Sequence, residues 1–199
     1  CNTATAAGAN QARAAHANWP IVGIEPAVKP ASMLTKTGVV GILATTNTVA
    51  SERFKALVER FDPMAKVIAH PCPGLVELIE QSPMPESAIE ALLKPVVAEL
   101  LQKQADVIVL GCTHYPFVAH FISKLAGPGV AVIETGLPVA KQLRTRLESE
   151  RLLNMGNEHV PLLERVSFFT TGQPESFKTK LVNLLGSDWR NAHVQQLDV

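Results

Sequence analysis

Residues 107–116 read Val107-Ile108-Val109-Leu110-Gly111-Cys112-Thr113-His114-Tyr115-Pro116, an apolar run that stops at a glycine and gives way to a cysteine, a threonine and a histidine. Three of the four apolar residues are β-branched, and no polar residue alternates with them. That pattern describes a strand covered on both faces, as in the parallel sheet of an α/β domain. A strand that ends so abruptly hands Cys112 and its neighbours to an exposed turn, and a helix over residues 117–125 is expected just beyond it.

The same alternation extends in both directions. Upstream, an alanine-rich helix over residues 4–18 is stopped by Pro20, and Ile21-Val22-Gly23-Ile24 reads as a buried strand. Glu25-Pro26-Ala27-Val28-Lys29-Pro30 punctuates the chain, marks a domain crossing and opens a short helix to about residue 34. Val39-Val40-Gly41-Ile42-Leu43 is the next strand. Thr45-Thr46-Asn47-Thr48 then supplies caps for one helix whose apolar positions Phe54, Leu57, Val58 and Phe61 recur at helical spacing. Lys66-Val67-Ile68-Ala69 forms a shorter strand, followed by His70-Pro71-Cys72-Pro73-Gly74 and an amphipathic helix through Glu80. A long helix over residues 87–104, with Ser87 and Glu90 spaced as a capping box, is expected to kink at Pro95. Downstream come a strand at 130–133, a helix at 137–150, a polar loop at 152–164, a strand from Val166 with a last helix, and a tail that frays after Trp189. Strands alternating with helices predict an α/β protein with two parallel sheets.

Composition narrows the function classes. Of 199 residues, 47% are hydrophobic and 18% charged, and eighteen basic residues balance eighteen acidic ones. With no net field to attract phosphate backbones or anionic lipid, nucleic acid and membrane are excluded as expected partners. The apolar runs are of strand length, short of the roughly 20 residues that a membrane-spanning helix needs, and a cytoplasmic setting is the expectation. The three cysteines, at positions 1, 72 and 112, are too scattered for a disulfide framework or a paired zinc site, so reduced thiols and no metal are expected.

Cys1-Asn2-Thr3-Ala4 repeats the arrangement at Cys112: a cysteine and a nearby hydroxyl where a helix begins. A thiolate is the reactive form of cysteine, and a helix amino terminus or a nearby cation such as His114 favours it. Two thiols facing each other across a carbon acid could remove a proton from one face and deliver one to the other, inverting a stereocentre. No cofactor is required for this, because amides and hydroxyls at helix starts can hold a substrate carboxylate and the charge that develops during deprotonation. In open parallel sheets ligands gather at the carboxyl ends of strands, where Cys1, the turn from Thr45 to Thr48, Cys72 and Cys112 are all expected to fall. Simpler roles compete. Cys72 reads as an inert buried thiol and His70 as structural. Thr45, Thr48 and His114 can act as helix caps, Glu80 fits a solvated helix position, and His16, His120, His159 and His193 read as surface residues.

These motifs together carry a family resemblance: Cys1-Asn2-Thr3-Ala4, the run from Val22 to Ala31, the Thr45 and Thr48 pair, Leu75-Val76-Glu77-Leu78-Ile79-Glu80, and Val109 through Pro116. The chain resembles the cofactor-independent aspartate/glutamate racemase family, and within it the glutamate racemases, over nearly all its length. His114 favours glutamate, since aspartate-specific relatives tend to carry a glutamate there. The resemblance implies interconversion of L- and D-glutamate for peptidoglycan synthesis. It casts Cys1 as acting on the D-enantiomer and Cys112 on the L-enantiomer, with His114 assisting Cys112 and Glu80 orienting His114. Asn2, Thr3, Thr45, Thr48 and Thr113 would hold the substrate. It further implies two similar α/β domains, residues 1–26 with 136–199 and residues 27–135, with the site in the cleft between them, and a homodimer. Thr5 stands where serine is commoner, and Glu134 where aspartate is usual.

The chain opens at Cys1 without a strand before it, and the family's Asp-Ser-Gly and Pro-Tyr-Gly motifs are not among its residues. An upstream segment is therefore expected, and residues 1–199 alone are expected to be inactive or badly impaired. Competing expectations are a racemase or decarboxylase acting on aspartate, hydantoin or a malonate derivative, and a non-catalytic gyrase-binding role of the kind some relatives have. A thiol redox or metal-binding module is disfavoured by the cysteine spacing.

Overall fold

A computed structural model describes residues 1–198 other than 62, 64, 155, 157 and 158. The chain divides into two compact units, one formed by residues 1–76 and 86–153, the other by residues 77–85 and 154–199.

The first unit is built on a four-stranded parallel sheet of β1 (Val39–Ala44), β2 (Lys66–Pro71), β3 (Val107–Leu110) and β4 (Ala131–Ile133), in the order β2-β1-β3-β4. All four residues of β3 are buried, as its unbroken apolar run requires. On one face of the sheet Val40, Ile42, Ala44, Val107 and Val109 pack with Val28 and Ala31 of α2 (Val28–Leu34) and with Phe54 and Phe61 of α4 (Glu52–Phe61). Every second residue turns to the opposite face. There Leu100 of α6 (Glu86–Gln102) lies so close to Gly41 that an added Cβ would sit 2.7 Å from its Cδ1. Burying one such aliphatic side chain contributes about 1.5–3 kcal/mol, so this two-sided core dominates the stability of the unit.

The amino-terminal edge of the sheet is tied by one carboxylate. Asp106, just before β3, accepts hydrogen bonds from the hydroxyls of Thr35 and Thr37 and from the backbone amides of Lys36 (2.7 Å) and Thr37 (3.1 Å) in the turn that enters β1. Partial burial acts to raise its pKa, but these four donors outweigh it and hold the carboxyl below the usual aspartate value.

The expected strand at 21–24 does not form. Its backbone groups are taken by side chains of α1 (Asn2–Ala15) instead of a neighbouring strand: Ile24 N donates to Thr5 Oγ1 at 3.1 Å and Arg13 reaches Ile21 O at 3.4 Å. The single helix expected after Thr45 is split into α3 (Thr46–Ala50) and α4. Ser51 between them is extended, and its hydroxyl accepts from Phe54 N at 3.2 Å, capping the second helix. The long helix starts at Glu86, one residue ahead of the proposed capping box, and continues through Pro95.

The second unit contains a two-stranded parallel sheet of β5 (Phe168–Thr170) and β6 (Val194–Gln196), joined through α10 (Pro174–Leu185). Phe168 packs against Phe177 and edge-on against Trp189. The tail expected to fray therefore supplies a strand, because Phe168 and Trp189 anchor its approach. The polar stretch 152–164 runs into the short α9 (Leu162–Arg165), and residues 155, 157 and 158 of that loop lie outside the described residues.

Candidate functional site

In the order β2-β1-β3-β4 the chain leaves β1 toward one edge for β2 and returns on the other side for β3, so the strand order reverses between β1 and β3. The crevice at the carboxyl ends of two such strands is where open α/β sheets place ligands. Thr45 follows β1 there, and Gly111 and Cys112 follow β3. Gly111 N donates to Leu43 O at 2.7 Å, and a Cβ on Gly111 would lie 2.9 Å from that same oxygen. Only glycine lets the Cys112 turn leave the sheet this close to β1.

Three hydroxyls close on one another at this rim. Thr45 caps α3 by accepting from Thr48 N at 3.2 Å, and its Oγ1 lies 2.9 Å from Thr48 Oγ1. Thr3 Oγ1, from the first turn of α1, lies 2.9 Å from Thr45 Oγ1 and 3.1 Å from Thr48 Oγ1. A second link joins α1 to β3: Asn2 Nδ2 donates to Gly111 O at 2.8 Å, across 109 residues of sequence. Through these bonds the turn that carries Cys1 is fastened to the turn that carries Cys112.

The two thiols differ in exposure. Cys1 is the exposed N-cap residue of α1, whereas Cys112 is buried. Beyond Cys112, Thr113 is exposed and His114 is half-buried, and both precede a 3₁₀ turn over Tyr115–Val118. The α-helix expected at 117 begins instead at Ala119 as α7 (Ala119–Ala126). Pro116 sits in the first turn of the 3₁₀ segment, where its missing amide costs no hydrogen bond. Tyr115 is fully buried beneath the turn, with its hydroxyl 3.5 Å from Cys72 O and its amide donating to Cys112 O at 3.2 Å. Nothing in the spacing of the sequence singles out this phenol, although it lies within the Gly-Cys-Thr-His-Tyr-Pro run.

Cys72, at the end of β2, is buried, and its amide donates to Ala44 O at 2.9 Å. Burial foremost, and then the charge of a Cys112 thiolate, pushes its thiol up to about 12 against an opposing hydrogen bond from Tyr115. It is a neutral thiol at physiological pH. His70 bonds the carbonyl of Pro71 at 2.9 Å and reaches Glu99 of α6 at 3.4 Å, lacing β2 to that helix. Glu80 belongs to the other unit, where its carboxylate is held by Lys180 Nζ at 2.5 Å. Among the described residues no three His, Cys, Asp or Glu side chains come together to hold a metal ion, and no helix is long and apolar enough to cross a membrane.

A family model described as Asp/Glu/Hydantoin racemase matches residues 1–143. The chain belongs to the Asp/Glu/Hydantoin racemase family. A glutamate racemase of Pseudomonas entomophila is 46% identical over 178 residues, which cover 89% of this chain and 65% of the relative. A second, from Pseudomonas syringae pv. tomato, is 49% identical over 156 residues, which cover 78% of this chain and 57% of the relative. The chain thus spans less than two thirds of the length of these members of the family. Among solved racemases, a glutamate racemase isoform of Bacillus anthracis superposes with a TM-score of 0.83 at 29% identity, over 100% of this chain and 72% of that one. The Escherichia coli glutamate racemase, solved with L-glutamate and the activator UDP-MurNAc-ala, superposes with a TM-score of 0.73 at 26% identity, over 92% of this chain and 66% of that one. The α/β architecture with parallel sheets is the fold that this chain shares with these racemases.

Proposed function

We propose that the protein to which this chain belongs is a cofactor-independent glutamate racemase, interconverting L- and D-glutamate by proton transfer between two cysteines. The observation that carries this reading is the 2.8 Å bond from Asn2 to Gly111, which fastens the Cys1 turn to the Cys112 turn. The glutamate racemases among its relatives favour glutamate over aspartate, hydantoin or a malonate derivative.

In the forward direction the Cys1 thiolate takes the α-proton of D-glutamate, leaving a planar carbanion whose charge spreads into the carboxylate. Cys112, then a thiol, gives its proton to the opposite face. L-Glutamate leaves, with Cys1 protonated and Cys112 as the thiolate, and the reverse reaction exchanges the two roles. A helix amino terminus favours negative charge on its N-cap side chain, which suits Cys1 at the head of α1. His114, two residues from Cys112, assists that cysteine, and Glu80 orients His114. Asn2, Thr3, Thr45, Thr48 and Thr113 hold the substrate's carboxylates and amino group.

The same reading assigns residues 1–26 with 136–199 to one domain of the whole protein and residues 27–135 to the other, with the site in the cleft. It makes the protein a cytoplasmic homodimer that supplies D-glutamate for peptidoglycan. The test is circular dichroism of L- and D-glutamate with the protein at the full length its gene encodes, alongside residues 1–199 alone. The full-length protein is expected to racemise both enantiomers, and the 199-residue chain to be inactive or badly impaired. Failure of the full-length protein with glutamate, together with turnover of another carbon acid, would move the assignment elsewhere in the family.

A further inference from the structure

Asn2 Oδ1 and Arg53 Nε are both buried and lack a hydrogen-bond partner among the described residues. Folded proteins rarely leave such groups unpaired. The two are complementary: one can only accept and the other can only donate. The amide of Asn2 is oriented unambiguously, because its Nδ2 already serves Gly111 O, an atom that can only accept.

Both residues line one small cavity with Glu25, Thr48, Ser51 and Phe54, and it offers about 10 Å³. That is close to the space the centre of a single water occupies. The other polar neighbours are already served. Thr48 shares the ring of three hydroxyls, while Ser51 Oγ donates to Thr48 O at 2.8 Å and accepts from Phe54 N. The guanidinium of Arg53 is paired with the Glu25 carboxylate, so its charge calls for no further anion. One neutral molecule that donates once and accepts once meets the remaining needs.

We propose that this cavity is a one-water site, in which the water donates to Asn2 Oδ1 and accepts from Arg53 Nε. Arg53 is thereby a positioning residue for the clasp between Asn2 and Gly111. The water belongs to the fold, whereas its catalytic consequence rests on the racemase reading above. With its oxygen tethered, the Asn2 amide is held in the one orientation that joins the two thiol turns. A shift of these turns by about 1 Å is enough to cost on the order of a hundredfold in rate.

A crystal structure of the full-length protein that resolves ordered solvent tests the site without any variant. A water within hydrogen-bonding distance of both atoms is expected; a dry cavity, or direct contact between Asn2 and Arg53, overturns the proposal. The positioning role is tested by two substitutions that separate charge from the amide-type donor. Arg53→Gln places an N–H near the position of Nε without charge, whereas Arg53→Lys keeps the charge facing Glu25 but has no donor at that depth. Arg53→Gln is expected to keep kcat within about threefold, and Arg53→Lys to lose about tenfold or more in kcat with KM little changed. The reverse order, or equal effects, overturns the role. A full-length protein that races through neither enantiomer of glutamate defeats the racemase reading, while the solvent structure still decides the water.

Discussion

The two edges of the four-stranded sheet carry polar clusters of similar make-up and opposite logic. At the amino edge, Asp106 accepts from two hydroxyls and two backbone amides, and those hydroxyls in turn accept from the amides of Gly38 and Val39. At the carboxyl edge, Thr3, Thr45 and Thr48 bond mainly to one another, and the acceptor of Asn2 is left over. A saturated cluster locks backbone in place. A cluster that shares protons among hydroxyls can redirect one of them to a ligand at the cost of a single internal bond. Threonine and carboxamide side chains near a strand end therefore do not identify a site by themselves; the distribution of their protons does.

The sharpest way to break this contrast is at the thiols. Cys1→Ser and Cys112→Ser in the full-length protein are each expected to lower kcat for glutamate racemisation by about 10³-fold or more, with urea midpoints close to wild type. Retained turnover in either variant would remove the carboxyl edge from the chemistry. Asp106→Asn is expected to do the opposite, costing about 1–2 kcal/mol in urea unfolding, discounted for solvent screening, while leaving kcat unchanged. Because the folded carboxyl titrates below its unfolded value near 3.9, its contribution is fully present above that pH and disappears as pH falls through the folded pKa. The stability gap between wild type and Asp106→Asn should accordingly be full above the ordinary carboxyl range and close as pH falls below it. Thr45→Val removes both the N-cap of α3 and one member of the hydroxyl ring. About 1 kcal/mol of stability is expected to go, together with a rise in KM for glutamate, so this edge alone should show both effects. The smallest effect is expected at Cys72. With its thiol pushed up to about 12, mass spectrometry after brief iodoacetamide treatment at neutral pH should find it unmodified in the folded protein and Cys1 alkylated.

Much of this was legible in the residues. The runs that became β1, β2, β3 and β4 are short, apolar and β-branched, and each ends at a polar or proline-bearing turn, which is what buried parallel strands demand. Ile21-Val22-Gly23-Ile24 has the same composition and forms no strand, because pairing depends on a neighbour that local sequence does not reveal. The reverse error occurred at Val194–Gln196, where polar residues are held in a strand by the aromatic packing of Phe168. Within the site, the positions of Cys112, Thr45 and Thr48 followed from strand ends. The ring joining Thr3 to residues more than forty positions away, the Tyr115 prop and the unpaired Nε of Arg53 arise from tertiary approach, and no spacing encodes them.

The division of the chain between the two units has a consequence for the order of assembly. Residues 77–85 leave the ribosome inside the stretch that builds the first unit, yet they belong with residues 154–199. Glu80 waits for Lys180, a hundred residues later in synthesis, before that contact can form. During translation the parallel sheet can close first, and the short segment that bears Glu80 is among the last to be fixed, by a long loop closure that sets its own pace.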